Sequence, residues 1–577
     1  MIYHTAIFAF LTSVATAAPL TVQLHHTHNG SPLLLDSLRF NTTAGETYSV
    51  SRLSYLLSEF ALEKPDGAKV PIDAFAFIDA AKHRTIFQLR EIPDGTYTAL
   101  HFTVGLTPAP NKSNPASHPA GHPLNPALNN LHWTWQTGYI FLALEGRYRK
   151  PDNSLAGYVY HLANNPNETT VSLPASLDLN NPASLVLSFD IASLLNTPTP
   201  LSFANTGDST HSHPGDPIAT ALTTNLPSAF AVSAVATSSS TPPAPPKPPL
   251  YLPSSYTPYP LRLSRRLPRP DLPTDNPLTV ERVELGRRLF HEPLLSRNNT
   301  LSCASCHLAT NAFSDPRTVS IGIDAQPGTR NSMPLFNLAW KSSFFWDGRA
   351  ASLREQVLVP IEDHTELDES LENVVAKLSA HQDYPNLFSK AFEPPEITAE
   401  KIGLAVETFL LTILSYDSRF DRASRGEETL TEQEQRGFKL FMTEHEPRSG
   451  SFGADCFHCH GGPLFSDHSF HNNGLTPTID LGLGAVSNNP ADNHKFSTPS
   501  LRNVALTAPY MHDGRFATLE DVLDHYTGPA HRSPTLDPNL AKHPPTGLAL
   551  SPADKSALVA FLKTLTDPEL SPETPDR

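Results

Sequence analysis

The sequence predicts a multidomain fold in three parts: an N-terminal all-β antiparallel sandwich, a Pro-rich linker and a mainly α C-terminal unit. Residues 18–236 contain short alternating or β-branched runs, such as Thr96–Val104, which Asn, Gly, Pro and Asp interrupt. Residues 237–275 form a Pro- and Ser-rich tract, a composition that cannot build a core. From residue 276 onward apolar residues recur at helical spacing, most clearly over Thr398–Phe420.

Charge and the N-terminus narrow the class of protein. The formal net charge of -16 over 577 residues argues against nucleic acid as a partner. Residues 1–17 are predicted to be a signal peptide, because the short apolar run Ile7–Val14 precedes an A-x-A cleavage pattern. No stretch reaches the ~18 apolar residues that a transmembrane helix needs. We therefore expect a periplasmic or exported protein without a transmembrane segment.

The four cysteines of the chain all lie in two C-x-x-C-H motifs. The motifs comprise Cys303, Cys306 and His307, and Cys456, Cys459 and His460. This pattern attaches c-type haem: two thiols bond the haem edge and the adjoining His binds iron. A disulfide or a redox C-x-x-C would leave the following His unexplained in both motifs. The sequence therefore predicts two haem c groups, about 150 residues apart in a helical setting.

Residues from about 276 to 570 resemble the bacterial dihaem cytochrome c peroxidase and MauG family. The resemblance rests on the segments RTVSIGIDAQPGTRNSMPLFN, SFFWDGRAASLREQ and STPSLRNVALTAPYMHDGRFATLEDVLDHY. It implies a dihaem unit of two cytochrome c-like domains, 276–430 with the peroxidatic haem and 431–577 with the second haem. Many family peroxidases cap the first iron with a His in S-x-G-H, where this chain has Ile323. The first haem is therefore expected to be open without prior reduction, as in MauG.

The same resemblance assigns three catalytic residues and several ligands. Trp346 matches the Trp between the haems, and Gln356 and Glu366, ten and twenty positions beyond it, match the distal Gln and Glu. A distal carboxylate can move a proton between peroxide oxygens, and an amide can polarise the leaving oxygen. The alternative for Glu366 is a solvated acid at a helix start. The family's calcium ligands fall on the Asn331 side chain and the carbonyls of Thr507 and Pro509.

The resemblance places the sixth ligand of the second haem on Tyr526, fourteen positions after His512. MauG has Tyr there, whereas the dihaem peroxidases have Met. A phenolate favours oxidised iron, so Tyr526 points to oxidising equivalents stored on both haems. Met511 is a competing ligand, and Tyr526 could instead be the last core residue of its helix.

The N-terminal half resembles the MbnP family, through VSRLSYLLSEFALE, IPDGTYTALHFTVG, HWTWQTGYIFLALEG and Tyr160-His161-Leu162. MbnP-like proteins bind copper through His and a kynurenine made from Trp, and their partner MbnH is a MauG-like enzyme that performs the oxidation. Copper is therefore possible in this domain, because imidazole suits it. Candidate ligands are His25, His28, His132, His211 and His213, although a surface His tract is more often incidental. Trp133 and Trp135 are the candidate modified residues, with a preference for Trp133 beside His132.

Three functions follow from these resemblances. The leading one is a peroxide-dependent dihaem oxidoreductase of MauG/MbnH type that converts a Trp of its own N-terminal domain to kynurenine for a copper site. Hydrogen peroxide and that domain are then its partners. The tether holds the domain at an effective concentration in roughly the mM range. One alternative is a dihaem cytochrome c peroxidase that takes electrons from a small cytochrome or cupredoxin. The other is a non-enzymatic, exported copper-binding electron-transfer protein.

Overall fold

The computed structural model describes residues 19–134, 138–237, 250–264, 266–446 and 450–570. The predicted signal peptide lies outside these residues. Strands dominate as far as residue 237, and helices dominate from residue 280 onward, as the sequence predicts. Among the described residues no helix is both long and apolar enough to cross a membrane.

Two sheets form the N-terminal domain and enclose one core. The strands are β1 (Leu20–His28), β2 (Ser31–Pro32), β3 (Phe40–Asn41), β4 (Thr47–Glu63), β5 (Lys69–Ile72), β6 (Ala76–Asp79), β7 (Ile86–Leu89), β8 (Thr96–Val104), β9 (His132–Thr134), β10 (Gly138–Arg149), β11 (Leu155–Ala163), β12 (Thr169–Asp178), β13 (Ala183–Asp190), β14 (Ser209–Thr210) and β15 (Phe230–Thr237). The smaller sheet has the order β15-β13-β1-β2, with β7 on β1. The larger has the order β12-β8-β4-β10-β11-β14, with β3, β5 and β6 on β4 and β9 on β10.

Most strand pairs are antiparallel, but β1 with β13 and β11 with β14 are parallel, which the alternation of residues could not reveal. Short helices join the strands: α1 (Pro108–Asn111), α2 (Pro126–Asn129), α3 (Ile191–Asn196) and α4 (Pro217–Ala229). Strands β10 and β11 are buried along nearly their whole length, because the larger sheet is covered on both faces there. The end of β11 and the segment after β14 are thereby brought side by side.

The C-terminal half consists of two helical units. The first contains α5 (Val280–Phe290), α6 (Leu353–Glu362), α7 (Leu371–Ala380), α8 (Tyr384–Ala391) and α9 (Ala399–Leu410). The second contains α10 (Arg419–Ser424), α11 (Glu432–Phe441), α12 (Phe457–His460), α13 (Leu483–Ser487), α14 (Leu519–Thr527), α15 (Pro538–Ala541) and α16 (Pro552–Lys563). Two-residue strands β16 (His445–Glu446) with β17 (Ser451–Phe452), and β18 (Phe470–His471) with β19 (Phe496–Ser497), complete it.

The two helical units repeat one packing device. In the first, α5 crosses α9 so closely that a Cβ on Gly286 would lie 1.9 Å from the carbonyl oxygen of Ala405. In the second, α11 crosses α16, and a Cβ on Gly437 would lie 1.9 Å from the carbonyl oxygen of Ala557. Glycine is needed at both crossings because any side chain would push the helices apart. The repetition supports two related domains.

The N-terminal domain docks onto the second helical unit. The Lys495 ammonium lies 3.1 Å from a carboxylate oxygen of Asp36, and the Asn539 amide donates to Glu145 over 3.3 Å. Strand β11 packs so tightly on α15 that a Cβ on Gly157 would lie 1.9 Å from a backbone carbonyl oxygen of Pro538. This contact leaves no room for water between the strand and the helix.

Candidate functional site

The first C-x-x-C-H motif opens into a large cavity. The motif forms a tight turn in which the His307 amide donates to the Cys303 carbonyl over 3.0 Å. His307 Nδ1 lies 3.0 Å from the Phe313 carbonyl oxygen. That bond orients the ring and makes Nε2 the nitrogen available to iron. Both thiols are free, and burial raises the pKa of Cys303 to about 12, which does not suit a reactive redox thiol.

The three predicted catalytic residues all line this cavity of about 830 Å³, together with His307. The Trp346 indole is buried and donates to the Asn331 carbonyl over 2.8 Å. Gln356 lies on α6, and Glu366 follows that helix rather than starting one.

Glu366 has an unusual electrostatic environment. Burial, and to a lesser degree the neighbouring Asp363, raise the pKa of this carboxyl to about 7, although Arg349 opposes the rise. The alternative of an ordinary solvated acid does not fit that setting. The Ile323 amide donates to the Glu366 carbonyl over 2.9 Å, and the Ile323 side chain is buried. An apolar side chain therefore lies next to the backbone of Glu366.

The second C-x-x-C-H motif lies on α12. His460 Nδ1 is 3.2 Å from the Phe465 carbonyl oxygen, which repeats the arrangement of the first motif. Both proposed sixth ligands lie near one amide: Asn473 Nδ2 donates to the Tyr526 hydroxyl over 3.3 Å and contacts the Met511 sulfur at 3.4 Å. Burial raises the pKa of Tyr526 to about 12. The choice between these ligands stays a prediction.

The predicted calcium ligands come from two segments that the backbone joins. The Asn331 amide N–H donates to the His512 carbonyl over 2.8 Å, beside the segment that holds Thr507 and Pro509. Within the described residues no group donates to the carbonyl oxygens of Thr507 or Pro509, so both remain available to a hard cation. The Asn331 side chain itself faces backbone carbonyls of 317 and 318. Calcium binding stays a prediction.

The five predicted copper ligands are not brought together. His25 and His213 are exposed on different parts of the domain. His28 stacks on Phe40 with ring centroids 4.4 Å apart, and His132 lies edge-on to Tyr139 at 4.7 Å. The spacing of these histidines in the sequence does not predict their distances in space, because the fold distributes them over separate strands and faces.

Only His211 lies in a cluster that could hold a metal, with His161 and His458. Sequence reasoning did not single out the last two as ligands. His161 was noted only as part of the resemblance to MbnP, and His458 lies between the cysteines of the second haem motif. A His at a variable position of C-x-x-C-H was the one signal that could have drawn attention to it.

Trp133 lies at the junction of the two domains. Its half-buried ring packs against an apolar cluster of the N-terminal domain and against the core of the second haem domain, which includes Phe457. The ring centroid is 5.3 Å from that of His211 and 6.0 Å from that of His161. The other candidate, Trp135, lies outside the described residues.

Comparisons with known proteins agree with this division of the chain. The family described as "Di-haem cytochrome c peroxidase" matches residues 280–429, and the MbnP family matches residues 17–212. Methylamine utilization protein MauG of Methylorubrum extorquens is 39% identical over 52% of this chain and 84% of its own length. Cytochrome c551 peroxidase of Pseudomonas aeruginosa is 31% identical over 52% of this chain and 82% of its own. A crystal structure of a MauG-like protein associated with microbial copper homeostasis is 36% identical, covering 54% of this chain and 97% of that one, with a TM-score of 0.48.

Proposed function

Because the chain belongs to the dihaem cytochrome c peroxidase and MauG family, we propose that it uses hydrogen peroxide to oxidise Trp133 of its own N-terminal domain to kynurenine. The observation that carries this proposal is the position of Trp133, packed at once against its own domain and against the second haem domain. A plain peroxidase has no need to bury a Trp of an attached domain there. The product would lie beside His211 and His161, where it could serve a copper site.

The residues present fit a haem at each motif. Each has two cysteines free to form thioethers and a His whose Nδ1 is held by a backbone carbonyl. When bound, haem supplies the redox chemistry, because it reacts with peroxide and accepts electrons one at a time. The protein residues must then move protons, exclude competing ligands and connect the two sites.

Glu366 is the proton carrier at the first cavity. With a pKa of about 7 it can both accept and return a proton near neutral pH, which suits transfer from one peroxide oxygen to the other. The Gln356 amide, on the wall of the same cavity, is available to donate to the leaving oxygen. The buried side chain of Ile323, next to Gly322 of the cavity wall, has no atom that could bind iron.

Two tryptophans connect the first cavity, the second haem motif and the N-terminal domain. Trp346 lines the first cavity, and its carbonyl accepts from the Ser497 amide of the second haem domain over 2.8 Å. On the other side of that domain, Phe457 of the second motif lies 6.0 Å from His211, which in turn lies 5.3 Å from Trp133. Electrons removed from Trp133 therefore cross only two ring-to-ring contacts to reach the motif.

The covalent change balances with peroxide as the only oxidant. Two hydrogen peroxide molecules take up four protons and the four electrons removed from the indole and become four waters, while the C2–C3 bond opens and its two carbons gain two oxygen atoms from water. Hydrolysis then releases C2 as formate and leaves kynurenine. Because substrate and oxidant sites belong to one chain, the rate should not depend on protein concentration.

Peroxide titration of the haem-loaded protein, followed by peptide mass spectrometry, tests the proposal. We expect the Trp133 peptide to gain one oxygen and lose one carbon, and Glu366→Gln to suppress the change. Trp133→Phe should retain peroxide reduction without that product, whereas Trp340→Phe, a buried Trp bonded to the Pro268 carbonyl, serves as matched control. Unmodified Trp133, with fast peroxide turnover on reduced cytochrome c, would instead support the peroxidase alternative.

A further inference from the structure

Three histidines from three separate elements meet at the interface between the N-terminal domain and the second haem domain. His161 lies near the end of β11, His211 follows β14, and His458 lies on α12 between the two cysteines of the second motif. One nitrogen from each ring falls within 4.8 Å of the others. All three side chains are at most 9% exposed.

Each ring is held from outside by a carboxylate. His161 Nε2 lies 2.8 Å from Glu145, His458 Nε2 lies 2.9 Å from Asp455, and His211 Nδ1 is bonded to Glu444. Metal-binding histidines typically use their second nitrogen in this way, which fixes the ring and raises its basicity.

Among the described residues, the remaining nitrogen of each ring has no hydrogen-bond partner. These three buried atoms are His161 Nδ1, His211 Nε2 and His458 Nδ1. A buried polar atom without a partner costs free energy, so three of them in one cluster point to a ligand that takes lone pairs.

The charge around the cluster also suits a cation. Three buried carboxylates, Glu145, Glu444 and Asp455, face two cations, Arg52 and Lys542. With neutral imidazoles the cluster retains one negative charge. A metal cation would neutralise that charge and displace any proton held on the rings.

The other two groups of metal-ligand residues do not offer such a site. In the group of Glu444, Asp455 and His458, the Lys542 ammonium already contacts both carboxylates. In the second group, Cys459 belongs to the haem motif, and both nitrogens of His471 are already bonded to carboxylates. Of the three groups found in the described part of the chain, only the three-histidine cluster presents an unpartnered nitrogen from every member.

We infer that His458, inside the second haem motif, supplies the third imidazole of a transition-metal site whose other two imidazoles belong to His161 and His211. The inference deepens the copper part of the proposed function and rests on it for the choice of metal. Three imidazoles suit Cu⁺ in trigonal geometry, and Zn²⁺ with a fourth position left open. Because His458 belongs to the haem domain, the site is complete only when the domains are docked, and the ion ties them together.

Metal binding to the haem-loaded chain that has not met peroxide tests this inference, with Trp133→Phe as background so that kynurenine plays no part. Cu⁺ is titrated anaerobically against a chromogenic chelator and Zn²⁺ in parallel, and X-ray absorption counts the imidazole ligands. We expect one ion bound by three imidazoles, and His458→Gln to weaken binding at least about tenfold with two imidazoles remaining. His531→Gln, an exposed His of the same domain, should bind as the background does.

Several outcomes would overturn the inference. If X-ray absorption finds only two imidazole ligands on the ion of the background protein, the three-histidine site is excluded, even if His458→Gln folds poorly. Equal affinity with and without His458 does the same, provided the haem spectrum shows both proteins to be loaded. Because peroxide is absent, kynurenine can fail to form in the separate experiment without affecting this result, and the reverse also holds.

Discussion

Replacement of Glu366 by Gln should slow peroxide reduction and stabilise the folded protein. The gain in stability should depend on pH. The fold raises the pKa of Glu366 from the ordinary 4.5 to about 7, because the carboxyl is buried and lies near Asp363. A tenfold change in proton affinity is worth about 1.4 kcal/mol, so the folded protein pays roughly 3 kcal/mol to ionise this group. Gln has nearly the same shape and never ionises.

The direction with pH follows from proton linkage. The folded protein holds this proton more tightly than the unfolded chain does, so this group's contribution to stability is complete below pH 4.5 and is lost as the pH rises through about 7. Relative to wild type, Glu366→Gln should therefore gain little at about pH 4 and roughly 3 kcal/mol at about pH 8. The same substitution should slow peroxide reduction by about 10²–10⁴-fold, since it removes the proton carrier.

Two measurements check this pair of effects on the haem-loaded protein. Denaturant unfolding, followed by haem absorbance across the pH range, gives the stability difference, and stopped-flow mixing with peroxide gives the rate. Glu362→Gln, at an exposed acid that ends the helix before Glu366, is the matched control and should change neither. A stability difference that does not vary with pH would refute the assigned environment of Glu366, and an unchanged peroxide rate would refute its role.

Three further substitutions test the interface, the second haem and the core. Gly157→Ala should undock the N-terminal domain, because its Cβ would lie 1.9 Å from a backbone carbonyl of α15; kynurenine yield should fall while the haem spectra stay the same. Tyr526→Met should raise the reduction potential of the second haem in a redox titration, since thioether favours reduced iron more than phenolate does; an unchanged potential would argue that Tyr526 is not the ligand. Arg502→Met should destabilise the second haem domain by about 3–5 kcal/mol, because it leaves the carboxylate of Asp421 without its bidentate partner. The exposed Arg436→Met is its control and should cost at most about 1 kcal/mol in the same unfolding assay.

Local sequence patterns were enough to predict much of the fold and both haem motifs. Alternating residues, the Pro-rich tract and helical spacing separated the strand-rich and helical halves without any structure. The C-x-x-C-H motif is readable because its chemistry needs five consecutive residues. By contrast, Glu366 looks like any acid in an acidic segment, and only the family resemblance assigned it a role. Its raised pKa depends on burial that the sequence does not display.

The three-histidine cluster could not be predicted from the sequence, for a different reason. His161, His211 and His458 are far apart in the sequence and meet only because β11, the segment after β14 and α12 converge when the domains dock. Neighbours in sequence, such as His211 and His213, instead diverge, because one points into the interface and the other into solvent. Clustering along the chain was therefore a poor guide to clustering in space.

The positions of the cavity and of Trp133 constrain how oxidation can reach the substrate. Trp133 does not line the first cavity, where the proposed function places the reaction with peroxide, and instead packs on the second haem domain. Oxygen therefore cannot pass directly from a peroxide in that cavity to the indole, and only electrons can cover the distance. If Tyr526 fills the sixth position of the second haem, as predicted, that site would not admit peroxide beside the proposed substrate. Under the proposed function, an open first haem, a closed second haem and the docking of the N-terminal domain on the second haem domain would meet one requirement: they would keep the oxidant apart from the residue to be oxidised.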